Sequence, residues 1–171
     1  MRLFLGIELP ENIKQEIYNF LLPLHKNEKQ WERAHDYHQT LLFIGDSTEE
    51  QLELIKERMS LIKFLPFELE TSEFKFLRRR LLYLDLVPSP ELIMLHKQVH
   101  ELFPEWIRPD EKGFLVHITV KRWQRHEYDE LVNGFKGRAL PSMKFNVSSL
   151  ALFKSERDFN SNKYHVIHRT Q

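Results

Sequence analysis

Tyr37-His38-Gln39-Thr40-Leu41-Leu42-Phe43-Ile44 and Phe114-Leu115-Val116-His117-Ile118-Thr119-Val120 are the two stretches whose reading decides the fold. Both are apolar runs of strand length, and each carries a His-x-Thr triplet. Successive side chains of a strand alternate between faces, so residues i and i+2 share one. Each triplet therefore sets an imidazole beside a hydroxyl. A lone His-x-Thr carries no weight. Two of them, each on an apolar strand, each followed by an aliphatic residue (Leu41, Val120) and lying in opposite halves of the chain, point to one shared site across a cleft.

Such a site has a definite chemistry. Neutral imidazole accepts a proton and imidazolium donates one, with an unperturbed pKa of about 6.5. At phosphorus, one histidine activates the attacking water or hydroxyl while the other protonates the departing ribose oxygen. Threonine hydroxyls hold the non-bridging oxygens as charge builds. His38 and His117 are the candidate catalytic pair, and Thr40 and Thr119 the candidate phosphate ligands. The scheme needs no metal and no other cofactor, because the histidines supply both acid and base.

Composition narrows the partners. A chain of 171 residues suggests one domain or two intimate lobes. Lys plus Arg equals Asp plus Glu at 25 each. A protein that coats long nucleic acid carries a basic excess, so a small ligand or the end of a nucleic-acid chain is favoured. The absence of cysteine excludes disulfides, thiolate zinc sites and cysteine nucleophiles. No apolar run approaches the roughly 20 residues that span a bilayer. The opening run, broken by Glu8 and Pro10, is too short for a signal peptide. A cytoplasmic monomer with no membrane contact and no obligate protein partner is expected.

The remaining elements follow from periodicity and caps. Arg2 to Leu9 reads as a strand, and Glu11 to about Leu24 as a helix ended or kinked at Pro23. A short edge strand is expected around residues 30–33. Ser47 and Glu50 suggest a capping box opening a helix with the stripe Leu52, Ile55, Met59 and Ile62. Phe67 to Glu70 alternates as a strand, continued by Phe74-Lys75-Phe76 after a bulge. Leu81 to Val87 is another strand. Ser89-Pro90 opens a helix with Leu92, Leu95, Val99 and Leu102 buried. A short helix is expected from Tyr128 to Phe135, then one strand from Met143 to Lys154 and another from Lys163 to Arg169.

The chain resembles the bacterial and archaeal RNA 2′,3′-cyclic phosphodiesterases, also called 2′-5′ RNA ligases, of the two-histidine phosphoesterase superfamily. The resemblance spans nearly the whole chain. It rests on Arg2-Leu3-Phe4-Leu5-Gly6-Ile7-Glu8-Leu9-Pro10, on Trp31, on the two His-x-Thr segments with their flanks, and on Arg80 ahead of a central strand. It implies an α+β, bilobal fold in which two antiparallel sheets form a V-shaped central cleft with helices outside. It also implies a single domain, residues 1–171, of two pseudo-symmetric lobes with one motif in each half. The implied reaction is hydrolysis of 2′,3′-cyclic phosphates on RNA ends or nucleotides to 2′-phosphates, with weak ATP-independent 2′-5′ RNA ligation beside it. Arg122 and Arg80 become candidate phosphate contacts, although Arg122, three residues after Thr119, needs a bend to reach the same face. The chain departs from the family pattern at Gln39, where an apolar residue is usual, at Val116, where Pro is usual, and in lacking Gly before Tyr164.

Other features are weaker. Arg78-Arg79-Arg80 with Lys121, Arg122 and Arg125 form either a phosphate grip or a solvated face. His96 and His100 have a metal-capable spacing on a helix but no accompanying motif, which favours a plain surface pair. His35 falls in the preceding loop. Phe43, Trp123 and Tyr164 are candidates for stacking a base. The alternatives to the cyclic phosphodiesterase are an enzyme for another diester (a 2′-5′ oligonucleotide or ADP-ribose cyclic phosphate), a non-catalytic module that binds RNA ends, and a histidine-based metal hydrolase.

Overall fold

A computed structural model describes residues 1–25, 31–78, 80–108, 113–122, 128–157 and 162–170. It contains eight strands: β1 (Arg2–Glu8), β2 (His38–Asp46), β3 (Phe67–Leu77), β4 (Leu81–Leu86), β5 (His117–Arg122), β6 (Lys144–Val147), β7 (Leu150–Arg157) and β8 (Asn162–Thr170). Four helices connect them: α1 (Glu11–Leu21), α2 (Glu49–Met59), α3 (Pro90–Leu102) and α4 (Tyr128–Phe135). All strand pairings are antiparallel, in the order β6-β3-β4-β5-β2-β1-β7-β8.

The expected α+β fold is present, as a curled sheet around a cleft. Its two four-stranded halves meet where β2 and β5 pair, through Gln39 and Ile118 alone. The two motif strands are thus the two central strands. Leu3, Leu5 and Ile7 of β1 join Ile13, Ile17 and Leu21 of α1, Ile55 and Met59 of α2 and Leu95 and Val99 of α3 in the main core. Alternation leaves Phe4 on the other face, where it forms a small aromatic cluster with Ala151, Phe153, Tyr164 and Val166. Gly6 permits β1 to approach β2, since a Cβ there would lie 2.5 Å from the carbonyl oxygen of Gln39.

Several boundaries differ from the sequence expectation for identifiable reasons. Helix α1 stops at Leu21, and Leu22-Pro23-Leu24 tightens into a 3-10 turn. The capping box of α2 is Thr48 with Gln51, not Ser47 with Glu50: Gln51 N donates to Thr48 Oγ1, and Thr48 N to Gln51 Oε1. Ser47 is diverted, because its N–H donates to the carbonyl of Met1. The expected Ser89 cap of α3 is present, with Leu92 N donating to Ser89 Oγ at 3.1 Å. Of the edge strand expected around residues 30–33, residue 30 lies outside the described residues, and residues 31–33 hold an isolated bridge from Trp31 to Lys121. β3 is continuous, with an irregularity between Thr71 and Phe74 where a bulge is expected. The expected strand from Met143 to Lys154 is two strands. β6 pairs with β3, and after Ser148-Ser149 β7 pairs with β1 on the opposite side of the seam.

Candidate active site

The register shows how four side chains come together. Counting outward from the Gln39–Ile118 pair in antiparallel order sets His38 across from Thr119 and Thr40 across from His117. All four line one cleft of about 250 Å³, together with Arg2, Leu3, Phe4, Glu32, Phe43, Arg122, Ser155 and Tyr164.

Arg122 reaches this face through a bulge. Tyr83 pairs with Thr119 and Leu82 with Lys121, so Val120 is an extra residue on β5. A bulge shifts the alternation by one position. Val120 and Lys121 are accordingly both buried, and Arg122 returns to the cleft face. The same device occurs on β2, where Leu5 pairs with Leu42 and Gly6 with Thr40, leaving Leu41 extra. It returns Phe43 to the cleft. Arg122 and Phe43 thus occupy the same position in the two motif strands, three residues after the threonine.

Both histidines are held in the same way. His38 Nδ1 lies 2.6 Å from the carbonyl oxygen of Asp36, and His117 Nδ1 lies 2.9 Å from that of Leu115. Each partner is two residues upstream. A carbonyl only accepts, so Nδ1 carries the proton and Nε2 of the neutral ring is the free acceptor. Aromatic rings fix the planes: Phe4 and Tyr164 flank His38 at 4.7 and 4.8 Å, and Tyr83 lies edge-on to His117 at 5.4 Å. Asp36 also ties Tyr164 into this wall, accepting from its backbone N–H at 2.9 Å.

Electrostatics follow from burial beside cationic groups. Burial pushes His38 down to about 4, and the nearby positive charge of Arg122 works in the same direction against the bond to Asp36. Burial also lowers His117, with Arg122 again contributing. Glu32, buried in the cleft wall, is pushed up to about 7 by desolvation although Arg122 opposes the shift; Arg122 Nη1 lies 3.8 Å from its Oε1. The cleft therefore holds neutral imidazoles and a weakly acidic carboxyl beside two arginines, an environment suited to an anion.

The other candidates lie elsewhere. Arg80 is exposed, its N–H closing the turn onto Leu77, and it is not among the cleft residues. It sits one residue beyond Leu81, the partner of Arg122. His35 is off the cleft, 3.4 Å from Asp36 Oδ2. His96 and His100 are packed and not a plain surface pair, with ring centroids 3.9 Å apart, both Nε2 atoms buried and His96 stacked on Phe114. Among the described residues, no three His, Asp or Glu gather as a metal set. Arg79, Trp123 and Arg125 lie outside the described residues. Sequence reasoning missed Arg2, Phe4, Glu32 and Ser155. Of these only Glu32 had a signal, as a carboxylate one residue from Trp31 and close to the first motif.

The sequence matches the model of the 2′-5′ RNA ligase superfamily over residues 10–159. The chain belongs to this superfamily. A relative named RNA 2′,3′-cyclic phosphodiesterase, from Archaeoglobus fulgidus, is 27% identical over 152 residues, covering 84% of this chain and 86% of its own. Another of the same name, from Methanocaldococcus jannaschii, is 24% identical over 184 residues and covers 98% of both. Among solved structures, E. coli LigT complexed with 3′-AMP superposes with a TM-score of 0.78 at 21% identity, over 99% of this chain and 96% of that one. The superfamily fold is thus the one the family resemblance implied. Among the described residues no helix is long and apolar enough to cross a membrane.

Proposed function

We propose that this member of the superfamily hydrolyses 2′,3′-cyclic phosphates, on RNA ends or nucleotides, to 2′-phosphates. His38 and His117 are the acid–base pair, and Thr40 and Thr119 hold the phosphate with help from Arg122. The observation that carries this reading is the pair of imidazoles facing one cleft, each with Nδ1 tied to the backbone two residues upstream and Nε2 available. One Nε2 takes a proton from water as its oxygen attacks phosphorus. The P–O3′ bond breaks, and the other imidazolium protonates O3′. The product keeps its phosphate on O2′. The same steps with a 5′-hydroxyl in place of water as nucleophile give ATP-independent 2′-5′ ligation, weak beside hydrolysis because water is in vast excess.

The depressed histidines fit an anionic substrate. A bound phosphate adds negative charge, raises both pKa values and lets one imidazole hold a proton when substrate is present. The cleft is at the small end of ligand pockets, which run to roughly 300–1,000 Å³, and so suits a terminal nucleotide. Arg80, exposed and next in the chain to the partner of Arg122, is assigned to a longer RNA. We also read residues 1–171 as one domain of two pseudo-symmetric lobes. β1-α1-β2 and β4-α3-β5 are matching units, each ending in a His-x-Thr strand with a bulge after the threonine.

The test is turnover of the four nucleoside 2′,3′-cyclic monophosphates with EDTA present, the products being resolved as 2′- or 3′-phosphates. The expected outcome is the 2′-phosphate alone, lost in His38→Ala and His117→Ala. Loss of activity on chelation, restored by a divalent cation, would refute the metal-independent scheme. No turnover, with phosphate affinity retained, would leave a binding module.

A further inference from the structure

We infer that Gln39 is a positioning residue, its side-chain amide inserted into the β2–β5 seam as a spacer that sets how far apart His38 and His117 stand. The inference rests on the reading of those histidines as the catalytic pair. Gln39 is completely buried and does not line the cleft. The register sets Thr40 across from His117, where an ordinary antiparallel ladder can run a bond straight from the His117 N–H to the Thr40 carbonyl. Here the amide stands between them. His117 N donates to Gln39 Oε1 at 2.6 Å, and Gln39 Nε2 donates to the Thr40 carbonyl at 2.8 Å. One side chain satisfies a donor on one motif strand and an acceptor on the other, and holds them an amide's width apart. It does so at the one point where the two halves of the sheet pair.

An apolar side chain of equal length cannot do this. It leaves the His117 N–H and the Thr40 carbonyl facing each other across a gap. The strands then either close onto a direct bond or lose both bonds. In either case the His117 ring, whose Nδ1 is tied to Leu115, moves relative to His38. Displacement of a reacting group by about 1 Å costs on the order of 10²-fold in rate.

The experiment compares wild type, Gln39→Met and Gln39→Glu. Wild-type turnover of 2′,3′-cyclic AMP is measured first. Its absence counts against the phosphodiesterase reading and not against the spacer, because hydrogen exchange of the His117 amide, read by NMR, needs no turnover. The spacer predicts that the His117 amide changes in Gln39→Met: it loses exchange protection if both bonds are lost, or keeps protection with a displaced NMR resonance if the strands close onto a direct bond. It also predicts that kcat falls roughly 10- to 100-fold with KM little changed, at a temperature where thermal melting shows the variant folded. Gln39→Glu keeps an acceptor for His117. Neutral, its carboxyl also donates to Thr40; ionised, it turns an acceptor on that carbonyl. Its kcat relative to wild type at the same pH is near one in acid and falls as pH rises. A merely structural Gln39 gives lower melting temperatures in both variants, kcat of the folded protein within about 3-fold of wild type and a ratio independent of pH. That result, or an unchanged His117 amide in Gln39→Met, overturns the inference. If Gln39→Met does not fold, the pH dependence of the Gln39→Glu ratio decides it.

Discussion

Replacing Arg122 by alanine tests the electrostatics of the cleft, because its charge presses on both histidines. In the free protein His38 stands at about 4 against an ordinary 6.5, and His117 is also depressed. The His38 shift corresponds to about 3 kcal/mol of discrimination against the protonated ring, at about 1.4 kcal/mol per unit. Burial supplies the larger part and Arg122 a smaller one. In the proposed mechanism the productive free enzyme has one histidine neutral and the other protonated. The kcat/KM profile is therefore a bell whose two apparent pKa values belong to the pair, and both lie below about 6.5. Its maximum falls in acid. The kcat profile lies at higher pH, because the bound anion raises both groups. In Arg122→Ala two changes separate: kcat/KM drops through the lost phosphate contact, and the bell moves up in pH. The upward move stays well short of a return to ordinary values, since burial remains. Histidine ring protons followed by NMR read the same shifts without substrate. A wild-type protein whose two histidines both titrate at about 6.5 or above, or an Arg122→Ala bell that moves down, would refute the reasoning.

Three further outcomes are expected. Glu32→Gln stabilises the protein more at pH 8 than at pH 5. Glu32 is pushed up to about 7 from 4.5, so the folded state binds the extra proton and stability is lost as pH rises through 7. The gain at pH 8 is on the order of 1–3 kcal/mol, after discounting for Arg122, and is read by denaturant unfolding at the two pH values; an equal effect at both would sink the assignment. Thr48→Ala removes the side-chain half of the α2 capping box and lowers stability by about 1 kcal/mol, or roughly 2–4 °C in Tm for a chain of this size. Ser47→Ala has less effect, because the Ser47 contact to Met1 is made by backbone; the reverse order would restore the sequence-based cap. Phe43→Ala, on the cleft face and 44% exposed, leaves kcat within about 3-fold but raises KM for cyclic nucleotides, since base stacking contributes about 1–3 kcal/mol; an unchanged KM removes Phe43 from the substrate.

What the sequence made legible is what local periodicity encodes. The strand phase of 38–40 and 117–119, the Ser89 cap and the stripe of α3 depend on neighbours a few residues apart, and each is found in the structure. What stayed hidden depends on partners far away. Nothing in Lys144–Arg157 announces that Ser148-Ser149 passes the chain from β3 to β1, because the partner of each of the two strands lies far away in the sequence. Ser47 and Thr48 are equally good caps by type, and the choice is made by Met1. Gln39 reads as a departure from pattern until His117 is seen across the seam.

The bulges are the most instructive case. Strict alternation from Thr119 puts Arg122 on the core face and Lys121 on the cleft face; in the structure Lys121 is the buried one, its ammonium 4.8 Å from the centre of the Trp31 ring. The structure shifts the alternation, at Val120 and again at Leu41. The extra aliphatic residue directly after each threonine is buried beside its neighbour, Val120 beside Lys121 and Leu41 beside Leu42. The aliphatic residue following each His-x-Thr, which in the sequence only strengthened the match between the two motifs, is thus the device that turns a third side chain of each strand toward the cleft. On one strand that side chain is a cation and on the other an aromatic ring, the difference on which the proposed grip of a phosphate by Arg122 and of a base by Phe43 depends.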